Sequence, residues 1–402
     1  MNRFILIASL LLAINDQRRA QHVLDRLAFG AKPGDVERVM AIGVDRWITQ
    51  QLHPESIDDR TVETHLASLP ERPRPIAELT AQRIVRATES ERQLNEVMTD
   101  FWLNHFNVFA QKGLDRIFIA GYEHDVIRPR EWGKFEDLLM ATAKSPAMLF
   151  YLDNARSRGG ALNENYAREL MELHTLGVDG GYTQKDVTEL ARVFTGWSID
   201  RHGDFIFRPF THDRGEKTVL GVHFRAGGGM EEGERMIRFL AHRPATAHHI
   251  AYKLCQRFIA DEPPASAVDR VAKTFLASDG DLRRTVQAVI ESPEFRDPKY
   301  FRAKMKTPFE YAVSAIRAVD GRIIDPLPVA RQLREMGEGL YLAQPPTGYS
   351  DTAQAWSSSG GLMARLNFAL ALAENRLPGV RSSVRDPKAM ALTLGSPEFQ
   401  RQ

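Results

Sequence analysis

The amino-acid sequence predicts a mostly α-helical protein that carries one small antiparallel β insertion. Apolar residues recur at helical spacing through most of the 402 residues. Only between Trp197 and Phe224 does the pattern change to short β-prone runs separated by polar turns. The hydrophobic content of 43% and the charged content of 26% are ordinary for a globular protein. We therefore expect an N-terminal helical half (20–196), the β insertion (197–230) and a C-terminal helical half (231–402), packed as one unit.

The first residues stand apart from this pattern. Arg3 precedes an apolar run at residues 4–14, which has the length of the hydrophobic part of an export signal and is too short to span a bilayer. No small-x-small tripeptide for cleavage precedes Asp16. Residues 1–19 therefore predict a removed export signal, with a periplasmic or extracellular protein. The alternatives are a hydrophobic first helix docked on the core of a cytoplasmic protein, or a start codon inside a longer leader.

Helical periodicity organises the rest of the N-terminal half. A Pro- and Arg-rich stretch at 69–79 predicts a linker. Pro129 is expected to end the helix before it. The pattern predicts helices in five segments: 22–30, 33–51, 80–109, 113–127 and 134–151.

Residues 163–197, NENYARELMELHTLGVDGGYTQKDVTELARVFTGW, predict two amphipathic helices joined by a Gly-rich turn. A capping-box pattern at 183–186 starts the second helix at Gln184. On the first helix, Glu169 and His174 fall on or beside the apolar face. Burying a carboxylate is costly unless it is paired, hydrogen-bonded or bound to a metal. The pattern therefore predicts a counterpart for Glu169.

His105 is a second titratable residue that is expected to face inward. In the predicted helix MTDFWLNHFNVF it shares one face with Met98, Phe101, Trp102 and Phe109. The opposite face carries Asp100, Asn104 and Asn107. A histidine in such an aromatic face is commonly a core residue that bonds a carbonyl or a carboxylate through one ring nitrogen.

Two interpretations of these inward groups remain open. His105, Glu169 and His174 would converge between packed helices as catalytic groups or as ligands of a divalent metal such as zinc, manganese or iron. The His-Glu-x-x-His motif and the Glu-x-x-His spacing of di-iron bundles are absent, however. Alternatively, Glu169 accepts a hydrogen bond from His105 or from an arginine of another helix, and the pair only fixes how the helices cross.

Three further residues are candidates for a site. His212 lies in the turn-like sequence THDRG, where we expect an exposed side chain that would add a metal ligand or a proton carrier. Tyr349 and Trp356 lie in QPPTGYSDTAQAW, in which two prolines restrict the backbone. These aromatic rings would either bind a sugar or an extended peptide, or wrap the helical core. The single cysteine, Cys255, is expected to be a buried thiol.

Several function classes are disfavoured. The formal net charge is +1 without a long basic run, which argues against nucleic-acid binding and against a polybasic membrane patch. Beyond the first residues, nothing in the sequence resembles a transmembrane span. Neither a Gly-rich nucleotide fingerprint nor a Gly-x-Ser-x-Gly elbow occurs.

Seven motifs follow one another along residues 22–375: HVLDRLAFG, FWLNHFNVF, the 163–197 sequence given above, KLCQRFIADEPP, SDGDL, SPEF and QPPTGYSDTAQAW. Together they resemble the bacterial family DUF1800, a domain of unknown function. The family is similar to families often found in exported proteins, and the resemblance implies no established reaction. Two hypotheses follow. One is an exported accessory or binding protein of the cell envelope, which contacts another envelope protein or a polysaccharide through a groove beside QPPTGYSD. The other is a metal-assisted, hydrolase-like enzyme that uses His105, Glu169, His174 and His212.

Overall fold

A computed structural model describes residues 2–69 and 75–402; of residues 2–13 and Pro75 it describes the backbone alone. This part of the chain contains 21 α-helices: α1 (Asn2–Leu27), α2 (Asp35–Ile42), α3 (Val44–Gln51), α4 (Arg60–Ser68), α5 (Pro75–Glu89), α6 (Gln93–His105), α7 (Asp115–Gly121), α8 (Phe135–Lys144), α9 (Pro146–Tyr151), α10 (Asn165–Glu169), α11 (Gln184–Val193), α12 (Met230–Ala241), α13 (Pro244–Phe258), α14 (Ala265–Ala277), α15 (Leu282–Ile290), α16 (Pro293–Arg296), α17 (Pro308–Ala318), α18 (Leu327–Glu335), α19 (Ala353–Trp356), α20 (Ser359–Ala373) and α21 (Pro387–Gly395).

Shorter elements complete the architecture. Three 3₁₀ turns occur at Pro54–Ser56, Asn154–Arg156 and Pro298–Tyr300. Two helical segments have π geometry, Tyr122–Ile127 and Leu170–Thr175. The described strands are β1 (Trp197–Ile199), β2 (Phe205–Phe207), β3 (Lys217–Val219), β4 (Val222–Phe224), β5 (Arg322–Ile323) and β6 (Val380–Arg381). They form three two-stranded antiparallel sheets, β1–β2, β3–β4 and β5–β6, and helices α18 to α20 connect the strands of the last one. The predicted mostly α fold is confirmed.

The helices bury one connected apolar cluster. It includes Leu24 of α1, Trp102 of α6, Leu254 of α13 and Phe368 of α20, so both halves of the chain contribute to it. Burying a large apolar side chain contributes about 2 kcal/mol, and this cluster therefore dominates the stability of the fold. The predicted burial of Cys255 is confirmed. In the described part of the chain, no helix is both long and apolar enough to cross a membrane.

Three predicted helices are each divided in the structure. The predicted helix 33–51 breaks at Gly43, which has a φ of 90° and separates α2 from α3. The predicted helix 80–109 breaks between α5 and α6, where the Ser90 hydroxyl accepts a hydrogen bond from the Arg92 amide. The predicted helix 134–151 breaks at Pro146, which lacks an amide hydrogen and begins α9 instead. The linker predicted at 69–79 is too long, because α5 already begins at Pro75; residues 70–74 lie outside the described residues.

The β insertion is confirmed, and it contains the four short strands β1 to β4. Trp197 of β1 is fully buried and packs edge-on against Phe194 and Phe205, with ring centroids 5.1 and 5.2 Å apart. A side chain at Gly233 of α12 would collide with the Trp197 ring, its Cβ lying 2.6 Å from Cζ2. The first hairpin therefore packs directly onto α12. The pair β5–β6 was not predicted, because its two-residue strands leave no alternating pattern.

The paired helices of residues 163–197 are confirmed as well. The Thr183 hydroxyl accepts from the Asp186 amide and the Asp186 carboxylate accepts from the Thr183 amide, at 3.2 and 2.9 Å. This capping box starts α11 at Gln184, as the sequence indicates. After Glu169, however, the first helix continues with i→i+5 hydrogen bonds.

Candidate functional site

A small polar cavity lies between α6, α13 and the loop that contains the 344–351 segment QPPTGYSD. Its volume is about 40 Å³. Since one water needs roughly 10–15 Å³ measured in this way, the cavity has room for a few waters or for one small polar group. Five charged residues line it: Arg83, Asp100, Arg257, Glu338 and Asp351. We call this feature the polar cavity.

Asp100 and Arg83 form an ion pair on one wall of the polar cavity. The Arg83 guanidinium also lies over the rings of Phe309 and Tyr341, at 5.3 and 5.1 Å from the ring centres. Burial raises the pKa of Asp100, although the positive charges of Arg83 and Arg257 act in the opposite direction. The aromatic rings and the carboxylate together hold the guanidinium in one position.

Glu338 is a second buried acidic residue of the polar cavity. Burial and the nearby Asp100 carboxylate raise its pKa to about 8. Its Oε2 accepts a hydrogen bond of 2.7 Å from the Phe309 amide. At neutral pH Glu338 is therefore mostly protonated, so it can donate a hydrogen bond or a proton into the cavity.

Arg257 enters the polar cavity from α13 and forms a buried ion pair with Glu310 of α17. Burial alone would raise the pKa of Glu310, but Arg257 and a hydrogen bond of 2.8 Å from the Gln402 amide stabilise its charged form, and the pKa is lowered. Arg257 and Glu310 thus stay charged next to the acid Glu338. The cavity brings together guanidinium donors, carboxylate acceptors and one protonated carboxyl group.

The 344–351 segment closes the polar cavity and is held by two asparagines of the FWLNHFN motif. The Asn107 amide donates to the carbonyls of Ala343 and Pro345, at 3.0 and 2.9 Å. Asn104 bonds the backbone of Tyr349. At the end of the segment, Lys253 of the KLCQRF motif donates to the Asp351 carboxylate at 3.1 Å. Three of the seven sequence motifs therefore meet at this one place.

The two candidate substrate-binding aromatics lie differently. Tyr349 is half-buried and lines the polar cavity, and its hydroxyl donates to the Gly339 carbonyl at 2.8 Å. Trp356 is only 7% exposed, and its indole donates to the Ser350 carbonyl at 2.9 Å. Trp356 thus packs the segment onto the core, which is the wrapping alternative. Of these two residues, Tyr349 is the one that a ligand in the cavity would contact.

His105 and His174 lie close together, and His249 joins them. The ring of His105 is centred 6.3 Å from that of His174 and 6.0 Å from that of His249. The Nε2 atoms of His105 and His249 lie 3.3 and 3.0 Å from the carbonyls of His174 and Leu173. These carbonyls belong to the last turn of the π segment, which has no further turn to bond them. His105 therefore has the carbonyl partner of a core histidine.

Burial keeps these imidazoles neutral. It lowers the pKa of His174 to about 3 and that of His249 to about 4, and it lowers the pKa of His105 as well. Across the residues that the structure describes, no three His, Cys, Asp or Glu side chains are grouped so that they could hold a metal ion. The described residues thus provide no set of ligands for the predicted metal site, and metal binding stays a prediction.

The prediction that Glu169 is enclosed with a counterpart is wrong. Its side chain is half-buried and makes no hydrogen bond or ion pair with the described residues. Partial burial and the neighbouring Glu172 carboxylate raise its pKa. The prediction assumed 3.6 residues per turn throughout, but the wider turns of Leu170–Thr175 change how Glu169 lies relative to the following leucines.

The prediction that His212 is exposed is also wrong, since it is 6% exposed. Its Nε2 lies 3.3 Å from the Glu232 carboxylate of α12, which also pairs with the buried Lys217 at 2.9 Å. Its Nδ1 lies 2.7 Å from the Thr195 carbonyl. No hydrogen bond, ion pair or ring contact joins His212 to Glu169 within the described residues. The residue anchors the β insertion to α12.

The main residues of the polar cavity were not predicted as site residues from the sequence. Asp100, Asn104 and Asn107 were placed on the face opposite the aromatic residues of the predicted helix, yet Asp100 and Asn104 are half-buried on α6 and Asn107 is buried just after the end of this helix. A polar row at i, i+4 and i+7 on a helix with so many large apolar residues is the signal that could have revealed the cavity. The partners Arg83 and Glu338 lie far away in sequence, and no local pattern links them to Asp100.

Fold and site thus define a mostly α-helical protein with an enclosed charged cavity at the meeting point of its motifs. The chain matches the family described as Protein of unknown function (DUF1800) over residues 22–400, and it belongs to that family. The resemblance noted in the sequence is confirmed. No curated protein and no solved structure matches the chain.

Proposed function

We propose that this protein is an exported binding or accessory protein of the cell envelope and that the polar cavity receives the end group of a hydroxylated ligand such as a polysaccharide. One observation carries the proposal. Oppositely charged side chains from α5, α6, α13 and the loop before the 344–351 segment converge on an enclosed space that they do not fill. Such enclosed polar groups are costly to bury and gather at functional sites.

The chemistry of the lining favours hydroxyl groups. A hydroxyl both donates and accepts, so it can bond the Asp100 carboxylate and the Arg83 or Arg257 guanidinium at once. The protonated Glu338 offers a further donor. A volume of about 40 Å³ admits one hydroxymethyl-sized group rather than a whole sugar ring. Tyr349 and the exposed Ser350 line the same cavity, and they would contact the part of the ligand that stays outside.

Titration calorimetry tests the ligand. Glucose, N-acetylglucosamine and glucuronate are offered as monomers and as short oligomers to the wild type and to Asp100→Asn, with the exposed Asp269→Asn as the matched control. We expect at least one saccharide to bind the wild type and the control equally, and to bind Asp100→Asn about tenfold more weakly. Absence of binding by every saccharide, or equal binding by Asp100→Asn, would overturn the assignment.

Export rests on the apolar run at residues 4–14 that follows Arg3. The full chain with a C-terminal tag is produced in a bacterium, the envelope and cytoplasmic fractions are separated, and the N-terminus of the recovered protein is sequenced. We expect the protein in the envelope fraction with the apolar run removed. An intact N-terminus in the cytoplasmic fraction would contradict export and leave the binding proposal standing.

A second candidate function is acid–base hydrolysis in the same cavity. It is favoured by the two neighbouring acidic groups with raised pKa, Glu338 as general acid and Asp100 as general base. Nitrophenyl glycosides provide the assay. Turnover that falls by at least about a hundredfold in both Glu338→Gln and Asp100→Asn would support hydrolysis; turnover that persists in either variant would exclude this pair.

The metal-assisted alternative has its own test. Elemental analysis is carried out on the purified wild type and on Glu169→Gln, followed by His105→Asn and His174→Asn. Stoichiometric metal that is lost in these variants would support a site built from His105, Glu169 and His174. Metal-free wild-type protein after refolding with zinc, manganese or iron would end this hypothesis.

A further inference from the structure

A second and much larger opening lies between α7, the segment 150–158 and the hairpin β1–β2. Its volume is about 740 Å³. At one end the hairpin touches α7, because a Cβ on Gly203 would lie 3.0 Å from the Phe118 ring. We call this opening the basic cleft. It shares none of its lining residues with the polar cavity.

Four arginines line the basic cleft: Arg156, Arg158, Arg201 and Arg208. All four are exposed, and none of them forms an ion pair with a described carboxylate. The acidic residue of the lining is Asp200, whose Oδ1 is already bonded to the amides of His202 and Asp204 at 2.8 and 2.9 Å. The lining thus carries four positively charged guanidinium groups and one carboxylate that already accepts two hydrogen bonds. The chain as a whole, by contrast, has a formal net charge of only +1.

The cleft also has an exposed aliphatic wall. Ile117 and Leu114, both in the lining, are 55% and 45% exposed. Phe210, which is 97% exposed, is two residues after Arg208 and directly before Thr211, and both of these residues line the cleft. Large apolar side chains this exposed next to a charged opening mark a surface that another molecule covers.

We propose that the basic cleft binds an acidic peptide segment of a partner protein, with Asp or Glu carboxylates on the arginines and aliphatic side chains against Ile117 and Leu114. Guanidinium groups bind carboxylates through paired hydrogen bonds. The aliphatic wall favours a peptide, because leucine, isoleucine or valine side chains of a peptide can bury apolar surface against it.

Fluorescence anisotropy with a labelled peptide of alternating Glu and Leu tests this proposal. The variant Arg158→Glu/Arg201→Glu reverses two exposed charges, and the exposed Arg331→Glu, outside the cleft, is the matched control. We expect the double variant to bind at least about tenfold more weakly than the wild type, and the control to bind like the wild type. Ile117→Ser, which keeps every charge, is expected to weaken binding as well. Thermal melts of all variants show whether they fold.

Three outcomes would overturn the proposal. The first is equal binding of a peptide with Gln in place of Glu, because the arginines would then play no part. The second is an equal loss of binding in Arg331→Glu, because the attraction would then depend on overall charge. The third is binding of polyglucuronate or of phosphatidylglycerol vesicles in preference to the peptide, which would assign the cleft to a polysaccharide or to a lipid surface.

Discussion

Asn104 and Tyr349 are joined by a pair of hydrogen bonds that resembles strand pairing. The Asn104 side-chain carbonyl accepts from the Tyr349 amide at 2.7 Å, and its amide donates to the Tyr349 carbonyl at 2.8 Å. One side chain of α6 thereby satisfies both backbone groups of a residue that no sheet or helix could satisfy. The relationship fixes the segment that closes the polar cavity.

Replacing Asn104 by Ala is expected to destabilise the protein by about 2 kcal/mol, because two hydrogen bonds are lost and the Tyr349 backbone is left partly unsatisfied. Urea denaturation measures this change. Asn163→Ala, which removes a single local bond to the Asn165 amide, is the control and should cost clearly less. Equal losses in the two variants would mean that the pairing with Tyr349 adds nothing.

Gly348, directly before Tyr349, occupies a position that only glycine tolerates. It has a φ of 69°, and a Cβ on this residue would lie 2.5 Å from the backbone carbonyl oxygen of Asn104. Gly221, with a φ of 80° and no atom within 4 Å of its Cβ position, is the matched control. Gly221→Ala is expected to cost about 1 kcal/mol from its backbone conformation alone, while Gly348→Ala should cost more and detach the segment. Urea denaturation compares the two variants. Equal losses of stability would show that Asn104 and the segment move apart without an energetic cost.

Features with a local signal could be predicted from the sequence. The capping box of Thr183 and the Asp281 cap of α15 depend on residues three positions apart, so their patterns are visible in the chain. Helical periodicity likewise indicated where most helices lie. The breaks at Ser90 and Pro146 were missed because apolar spacing continues across them.

Features that depend on distant partners could not be predicted. Asp100 was placed on the face opposite the aromatic residues and was not predicted as a site residue, because no local pattern links it to Arg83 or Glu338. His212 was expected to be exposed for the same reason, since its partner Glu232 comes from a helix twenty residues later. A helical projection tells which residues share a face, but it does not tell which faces meet water.

The pair of Lys217 and Glu232 is expected to be the most costly to break in the β insertion. Both side chains are buried, and the carboxylate compensates the lysine charge at 2.9 Å. Glu232→Gln should lower stability by about 3 kcal/mol or more, because it leaves an uncompensated buried charge. The double variant Glu232→Gln/Lys217→Met should recover part of this loss in urea denaturation. If the double variant is as unstable as the single one, charge compensation is not the cause.

Glu338 should make stability fall as pH rises. Its pKa is about 8 in the folded protein, mainly through burial, and near 4.5 in an unfolded chain, so the folded state holds a proton that the unfolded state has released. This group therefore removes stability from the wild type as the pH rises from 5 to 8, whereas Glu338→Gln keeps the neutral form. Over this window, the free energy of unfolding of the variant should rise relative to that of the wild type by about 1.4 kcal/mol per pH unit. Urea denaturation measures both curves, with the exposed Glu262→Gln as the control, and parallel curves would refute the shift.

His249 should have the opposite dependence on pH. Burial lowers its pKa to about 4 from the value of 6.5, so below pH 6.5 the unfolded chain takes up a proton that the folded protein rejects. This group therefore removes stability as the pH falls from 6.5 towards 4. Buried acids such as Glu338 oppose the trend in the whole protein, and only a difference between variants isolates it. As the pH falls from 7 to 5, the free energy of unfolding of His249→Gln should rise relative to that of the wild type by about 2 kcal/mol. The exposed His223 of β4 lies away from this group, and His223→Gln is the control. If both variants behave alike, the enclosure of His249 between Gly177 and the Leu173 carbonyl has no influence on its proton.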